Sequence, residues 1–130
     1  DPARVFKTLI LSTGEGSDVR SLRVAVLPVQ FQLDLRLAAA ALGVPRLQLA
    51  DPVLAAKVTG YVVGGISPLG QRRLLPTVVD ATANDHELML VSAGRRGMDV
   101  ELALADLLRV LGATSAPVIR VPAPGLPTGC

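Results

Sequence analysis

At 130 residues, half of them hydrophobic and only 18% charged, the chain is long enough for one domain with an aliphatic core, and Phe6, Phe31 and Tyr61 are its three aromatic residues. Thirteen basic against eleven acidic side chains leave a formal charge of +2, which neither implies nor excludes a nucleic-acid partner. The single cysteine, Cys130, excludes an internal disulfide framework and a structural zinc site with two cysteines, and it fits a reducing, cytoplasmic setting; the longest uninterrupted apolar run, Leu37 to Leu42, is far short of the ~20 residues of a membrane span.

The chain begins at Asp1-Pro2 with neither a methionine nor a basic and apolar leader, so further residues are expected upstream. The aliphatic, β-branched run Val5 to Leu11, the turn cluster Thr13 to Asp18 and the run Ser21 to Leu27 predict a β-hairpin. Asp34 is placed to cap a helix that runs to Leu42 with Leu33, Leu37, Ala40 and Ala41 on one face, and Gly43 provides a left-handed stop. A short strand at Leu47-Gln48-Leu49 precedes Asp51-Pro52, an N-cap and first-turn pair for a helix ending at Gly60. Tyr61 to Gly70, rich in glycine and holding Pro68, reads as a loop. Strands are expected at Thr77 to Ala81 and Glu87 to Ser92, joined near Asn84-Asp85, and at Met98 to Leu102 beyond a turn over Ala93 to Gly97. A last helix spans Leu104 to Leu111 and stops at Gly112. One domain over residues 1–113 and a Pro-rich extended or disordered tail over 114–130 follow.

The sequence contains no nucleophile elbow, no Walker loop and no cluster of zinc ligands. Its one histidine, His86, follows a turn and reads as a solvated loop residue, and a thiol at a chain end lacks the fixed electropositive surroundings that activate cysteine. Lys7 stands out: eleven arginines accompany only two lysines, and one of the two interrupts an apolar strand. It could hold a phosphate or a carbonyl oxygen as a point charge, or simply guard a strand edge. The amides of Gly64-Gly65-Ile66-Ser67-Pro68 suit an oxyanion or carboxylate, with an ordinary tight turn as the alternative. Ser92 beside Arg95-Arg96 orients a ligand or merely ends a strand, and Arg72-Arg73 and Arg95-Arg96 contact phosphates or form a solvated basic face.

Three blocks in order, Val5 to Leu9, Gly60 to Gln71 and Val91 to Gly97, resemble the YbaK/prolyl-tRNA-synthetase editing-domain family, and the likeness runs from about Val5 to Ala113. The resemblance implies an α+β fold with a mixed, barrel-like β-sheet flanked by helices. It implies hydrolysis of the ester of mischarged tRNA(Pro), Cys-tRNA(Pro) before Ala-tRNA(Pro), with no protein nucleophile and no cofactor or metal. Lys7 matches the key pocket lysine of that family, and the loop from Gly64 to Pro68 matches the segment lying against the aminoacyl ester. Lys7, Gly64 and Gly65 are therefore the expected catalytic residues, and Thr8, Ile66, Ser67, Pro68, Ser92 and Asp99 the expected substrate contacts. The expected partners are aminoacylated tRNA(Pro) and, by analogy, prolyl-tRNA synthetase to present it. Family members carry a longer segment with pocket-lining aromatics before the lysine, where this chain has six residues, so part of the pocket wall is expected upstream of Asp1. The competing expectation is a catalytically silent module that binds aminoacyl-tRNA or a synthetase.

Overall fold

A computed structural model describes residues 2–14, 19–61, 65–95 and 97–120 of the chain. The first two apolar runs form β1 (Phe6–Ser12) and β2 (Leu22–Pro28), antiparallel over seven pairs from Phe6↔Pro28 to Ser12↔Leu22. Most of the turn cluster between them, residues 15–18, lies outside the described residues. Next come α1 (Leu35–Leu42), β3 (Gln48–Leu49), α2 (Pro52–Thr59), β4 (Thr77–Asp80), β5 (Met89–Arg95), β6 (Met98–Leu102), α3 (Leu104–Leu111) and β7 (Thr114–Ala116). Five strands make one sheet in the order β3-β1-β2-β4-β7, with β2, β4 and β7 parallel to one another and β1 antiparallel to both β2 and β3, and β5-β6 form a separate antiparallel pair. The fold is thus α+β with a mixed sheet, as expected. The described sheet is open, however, and the barrel-like closure is not seen, because β5 and β6 pair with each other rather than bridging the sheet's two edges.

Parallel strands need both faces covered, and β2 and β4 are accordingly buried along nearly their whole length. Val24, Val26 and Val79 face α3, α2 and the β5-β6 hairpin, in a cluster with Ala55, Met89 and Leu107; Ala25, Leu27 and Val78 face α1 through Ala38 and Ala39. Both helix caps read from sequence form as expected. Asp34 Oδ1 accepts from the N–H groups of Arg36 and Leu37 at 2.9 and 3.1 Å, and Asp51 Oδ2 accepts from Leu54 N–H at 3.0 Å. Gly43 closes α1 at φ +71°.

Four expectations change. The buried face of α1 is Ala38 and Ala39, flanked by Leu35 and Leu42, while Leu37 and Ala40 are exposed; the 35/38/39/42 spacing lets two small alanines sit close on the sheet. The strands on either side of Asn84-Asp85 do not pair, because the 3-10 turn Ala81–Asp85 sends β5 away from β4. β5 runs on through Ala93 and Gly94 to Arg95, leaving a shorter hairpin connection, of which Arg96 lies outside the described residues. Finally, the domain does not stop at residue 113. Thr114–Ala116 is extended, but as a strand parallel to β4, and Val118 is fully buried. Val118 N–H donates to Asp80 Oδ1 at 2.8 Å, its carbonyl accepts from Asp34 N–H at 2.7 Å, and Arg120 N–H donates to Gln32 at 2.8 Å. Residues 121–130, including Cys130, lie outside the described residues. No described helix is long and apolar enough to cross a membrane.

Candidate active site

The site originates in how β1 is paired. One edge is fully taken by β2; the bonds from Thr13 N–H to Ser21 and from Val29 N–H to the Val5 carbonyl show that odd-numbered residues point their peptide groups that way. Even-numbered residues point to the other edge, where Ala50 N–H donates to the Ile10 carbonyl at 2.9 Å. That second edge has only partial neighbours. β3 covers Leu11 and Ser12, and β5 touches the start through a single bridge between Val5 and Leu90. Thr8 stands midway between them. By the alternation its N–H and carbonyl face the gap, where neither β3 nor β5 pairs with it, and its Oγ1 is buried without a hydrogen bond among the described residues.

The gap opens into a cavity of about 430 Å³, within the ~300–1,000 Å³ typical of small-ligand sites. Because it lies at a strand edge, side chains from both faces of β1 reach it. Phe6, Thr8 and Ile10 come from the α2 side; Lys7 and Leu9 come from the opposite face, by the two-residue period. Ala50, Pro52 and Ala55 close one end, and Ile66, Ser92 and Asp99 the other flank. Lys7 is half-buried and has no ion-pair partner among the described residues. Ser92 and Asp99 are cross-strand partners in the β5-β6 hairpin, which the 2.6 Å Arg4–Glu101 ion pair ties to the chain just before β1.

Five of the nine residues expected at the site therefore line one cavity: Lys7, Thr8, Ile66, Ser92 and Asp99. Gly65, Ser67 and Pro68 are buried beside it rather than on its surface. Ser67 Oγ is engaged by Leu69 N–H at 3.1 Å and the Ser67 carbonyl by Gln71 Nε2 at 2.9 Å, so this serine holds the loop's shape. Gly64 lies outside the described residues. His86 is a partly exposed residue ending the 3-10 turn and does not line the cavity. Among the described residues no three His, Cys, Asp or Glu side chains gather as a metal site. Sequence reasoning missed the wall made by Ala50, Pro52 and Ala55; the Asp51-Pro52 cap located the helix but not its contact with β1.

A family profile for the aminoacyl-tRNA editing domain matches residues 1–110. A curated protein of Enterococcus faecalis, EbsC, provisionally named a Cys-tRNA(Pro)/Cys-tRNA(Cys) deacylase, is 35% identical over 108 residues, 83% of this chain; the chain spans 63% of that relative's length. Among solved structures, a protein provisionally named a trans-editing enzyme for prolyl tRNA synthetase superposes with a TM-score of 0.81 at 22% identity, covering 93% of this chain and 73% of its own. A hypothetical protein does so at 0.79 and 25%, covering 92% and 77%. With the profile spanning nearly all of the fold and a relative of this identity beside it, the chain belongs to the aminoacyl-tRNA editing domain family.

Proposed function

We propose that the chain hydrolyses the ester joining a wrongly attached amino acid to the 3′ end of tRNA(Pro), favouring Cys-tRNA(Pro) over Ala-tRNA(Pro), and that the protein supplies no nucleophile. The observation that carries this reading is the gap on β1, where the Lys7 side chain, without an ion-pair partner among the described residues, and the Thr8 peptide group, on a stretch that neither β3 nor β5 pairs, meet one cavity. Hydrolysis begins with attack on the ester carbonyl carbon, puts negative charge on its oxygen, and ends as the C–O bond to the ribose breaks and the ribose oxygen takes a proton. Thr8 N–H is a donor for the developing oxyanion, and the Thr8 carbonyl is an acceptor for the amino acid's ammonium group. Lys7 neutralises the oxyanion or the terminal phosphate. No histidine of the described lining is there to activate the Thr8 or Ser92 hydroxyl, and in this reading attack falls to a positioned water or, for a cysteinyl ester, to the substrate's own thiol, whose proton passes to the departing ribose oxygen as a thiolactone forms that water then opens to free cysteine. The expected role of the Gly64 and Gly65 amides at the carbonyl passes in this reading to Thr8, since Gly65 is buried behind the lining.

The name of the Enterococcus faecalis relative supports the choice of cysteine. A net charge of +2 gives little long-range attraction to tRNA, which favours presentation by prolyl-tRNA synthetase in the cytoplasm. The test is release of amino acid from Cys-tRNA(Pro) and Ala-tRNA(Pro), with Pro-tRNA(Pro) as the control. Cys-tRNA(Pro) should be cleaved fastest, and Lys7→Ala should slow it by about 10²-fold; unchanged cleavage by Lys7→Ala would refute the assignment. A second reading, a binding module without turnover, is favoured by the apolar rim of the cavity, where Val29 and Leu49 are 50% and 62% exposed and nearby Val53 is 76% exposed. Binding of Cys-tRNA(Pro) without hydrolysis would select it.

A further inference from the structure

We propose that Tyr61 is a positioning residue for the cavity: its side chain fastens the loop that supplies Ile66 to the strand bulge that supplies Ser92, fixing the two at one spacing. The proposal rests on the deacylase reading, and Tyr61 itself does not line the cavity. The residue is rooted in α2. Its N–H donates to Thr59 Oγ1 at 3.2 Å, and Thr59, 1% exposed, donates to the carbonyl of Ala55, a cavity residue, at 2.7 Å. From that root the phenol hydroxyl donates to the Leu69 carbonyl at 2.6 Å, at the far end of the loop, where Leu69 N–H in turn donates to Ser67 Oγ. An apolar ring with one polar tip is suited to such a site.

The opposite side of the ring lies on β5. A Cβ built at Gly94 would stand 2.5 Å from Tyr61 Cε1, closer than non-bonded carbon atoms approach, and Gly94 has φ +93°. Gly94 is therefore required twice, by its backbone and by the ring. Its N–H donates to Ser92 Oγ at 3.1 Å within the register shift between Ser92 and Arg95. A continuous path of contact thus runs from Ser92 through Gly94, the Tyr61 ring and the Leu69 carbonyl to Ser67, next to Ile66 in the chain. Among the described residues, Ile66 also shares the buried cluster of Met89 and Val91, and Tyr61 adds to that packing a hydrogen bond to the loop and a close contact with the bulge.

Gly97 provides the matched control, since it lies in the same hairpin at φ +83° with nothing within 4 Å of a built Cβ. Amide hydrogen exchange is followed in the whole chain and in Tyr61→Phe, Gly94→Ala and Gly97→Ala, together with steady-state cleavage of Cys-tRNA(Pro). Tyr61→Phe and Gly94→Ala should each speed exchange of the Leu69 amide about tenfold and lower kcat about tenfold with KM within about twofold, while Gly97→Ala moves neither. Adding Tyr61→Ala to Gly94→Ala should bring the cost of the alanine at 94 down to that at 97. Equal behaviour of Gly94→Ala and Gly97→Ala in loop exchange overturns the proposal, as does an unchanged kcat in Tyr61→Phe beside an active wild type. If the wild type cleaves no aminoacyl-tRNA the deacylase reading fails, and the exchange measurements still decide whether Tyr61 couples the loop to β5.

Discussion

Replacing Asp80 with alanine should remove the fastening of the C-terminal segment, and the structure sets the size of the effect. Asp80 is 1% exposed; its Oδ1 accepts from Val118 N–H at 2.8 Å, and its Oδ2 accepts from Thr82 N–H at 3.1 Å and from the Thr82 hydroxyl at 2.5 Å. In Asp80→Ala the Val118 N–H is orphaned in a buried position, at about 1–3 kcal/mol, while the N–H and hydroxyl of partly buried Thr82 can turn to water and together cost about 1 kcal/mol. The sum, about 3 kcal/mol, corresponds in a domain of this size to a fall in Tm of roughly 12 °C. Urea unfolding followed by circular dichroism measures it, the midpoint shifting with an unchanged slope. Asp80→Asn keeps one acceptor oxygen and should lose only about half as much. A loss below about 1 kcal/mol in Asp80→Ala would refute the view that this carboxyl anchors residues 114–120, as would normal protection of the Val118 amide in that variant.

Val118→Ala tests the apolar half of the same anchorage: removing two methyls from a side chain with no exposure should cost about 2 kcal/mol in urea unfolding. At Gly43, where φ is +71° and no atom lies within 4 Å of a built Cβ, alanine meets only backbone strain, so thermal unfolding should register about 1 kcal/mol. Arg72 and Arg73 are exposed and without ion-pair partners among the described residues; if they meet tRNA phosphates, replacing both by glutamine should reduce the slope of log K against log salt by about two, read in binding titrations at several ionic strengths. Val53→Ser, at a side chain 76% exposed next in the chain to the cavity residue Pro52, should leave Tm within about 1 °C.

What the sequence made legible is local. Asp34 with Gly43 and Asp51-Pro52 with Gly60 define their helices through bonds made within one turn, so pattern alone found both ends. The face of α1 depends instead on which side of the sheet it meets, and there Ala38 and Ala39 displace the larger Leu37 because closeness matters more than side-chain size. Composition misled at Thr114–Ala116: prolines at 117 and beyond suggested a tail, yet a parallel partner in β4 and a buried place for Val118 are non-local and left no mark on the segment itself. The site divides the same way. Lys7, Ile66 and Ser92 stand out in the sequence itself and Thr8 and Asp99 through the resemblance, but the cavity exists because β3 and β5 stop short of each other along β1, and that register is written in no single stretch.

The gap on β1 also acts as a ruler. An unpaired strand edge is ordinarily an invitation to further strands, and proteins guard against it with charges or covers. Here β5 blocks one end and β3 the other, so the free stretch from Phe6 to Ile10 measures roughly 13 Å. An extended polypeptide would meet an end stop before completing more than about two bonds, too few to hold it. A compact group with one donor and one acceptor, the size of a single amino acid, fits the opening without touching either stop. The edge is thereby closed to further strands by its two stops, without needing the lysine beside it as a guard.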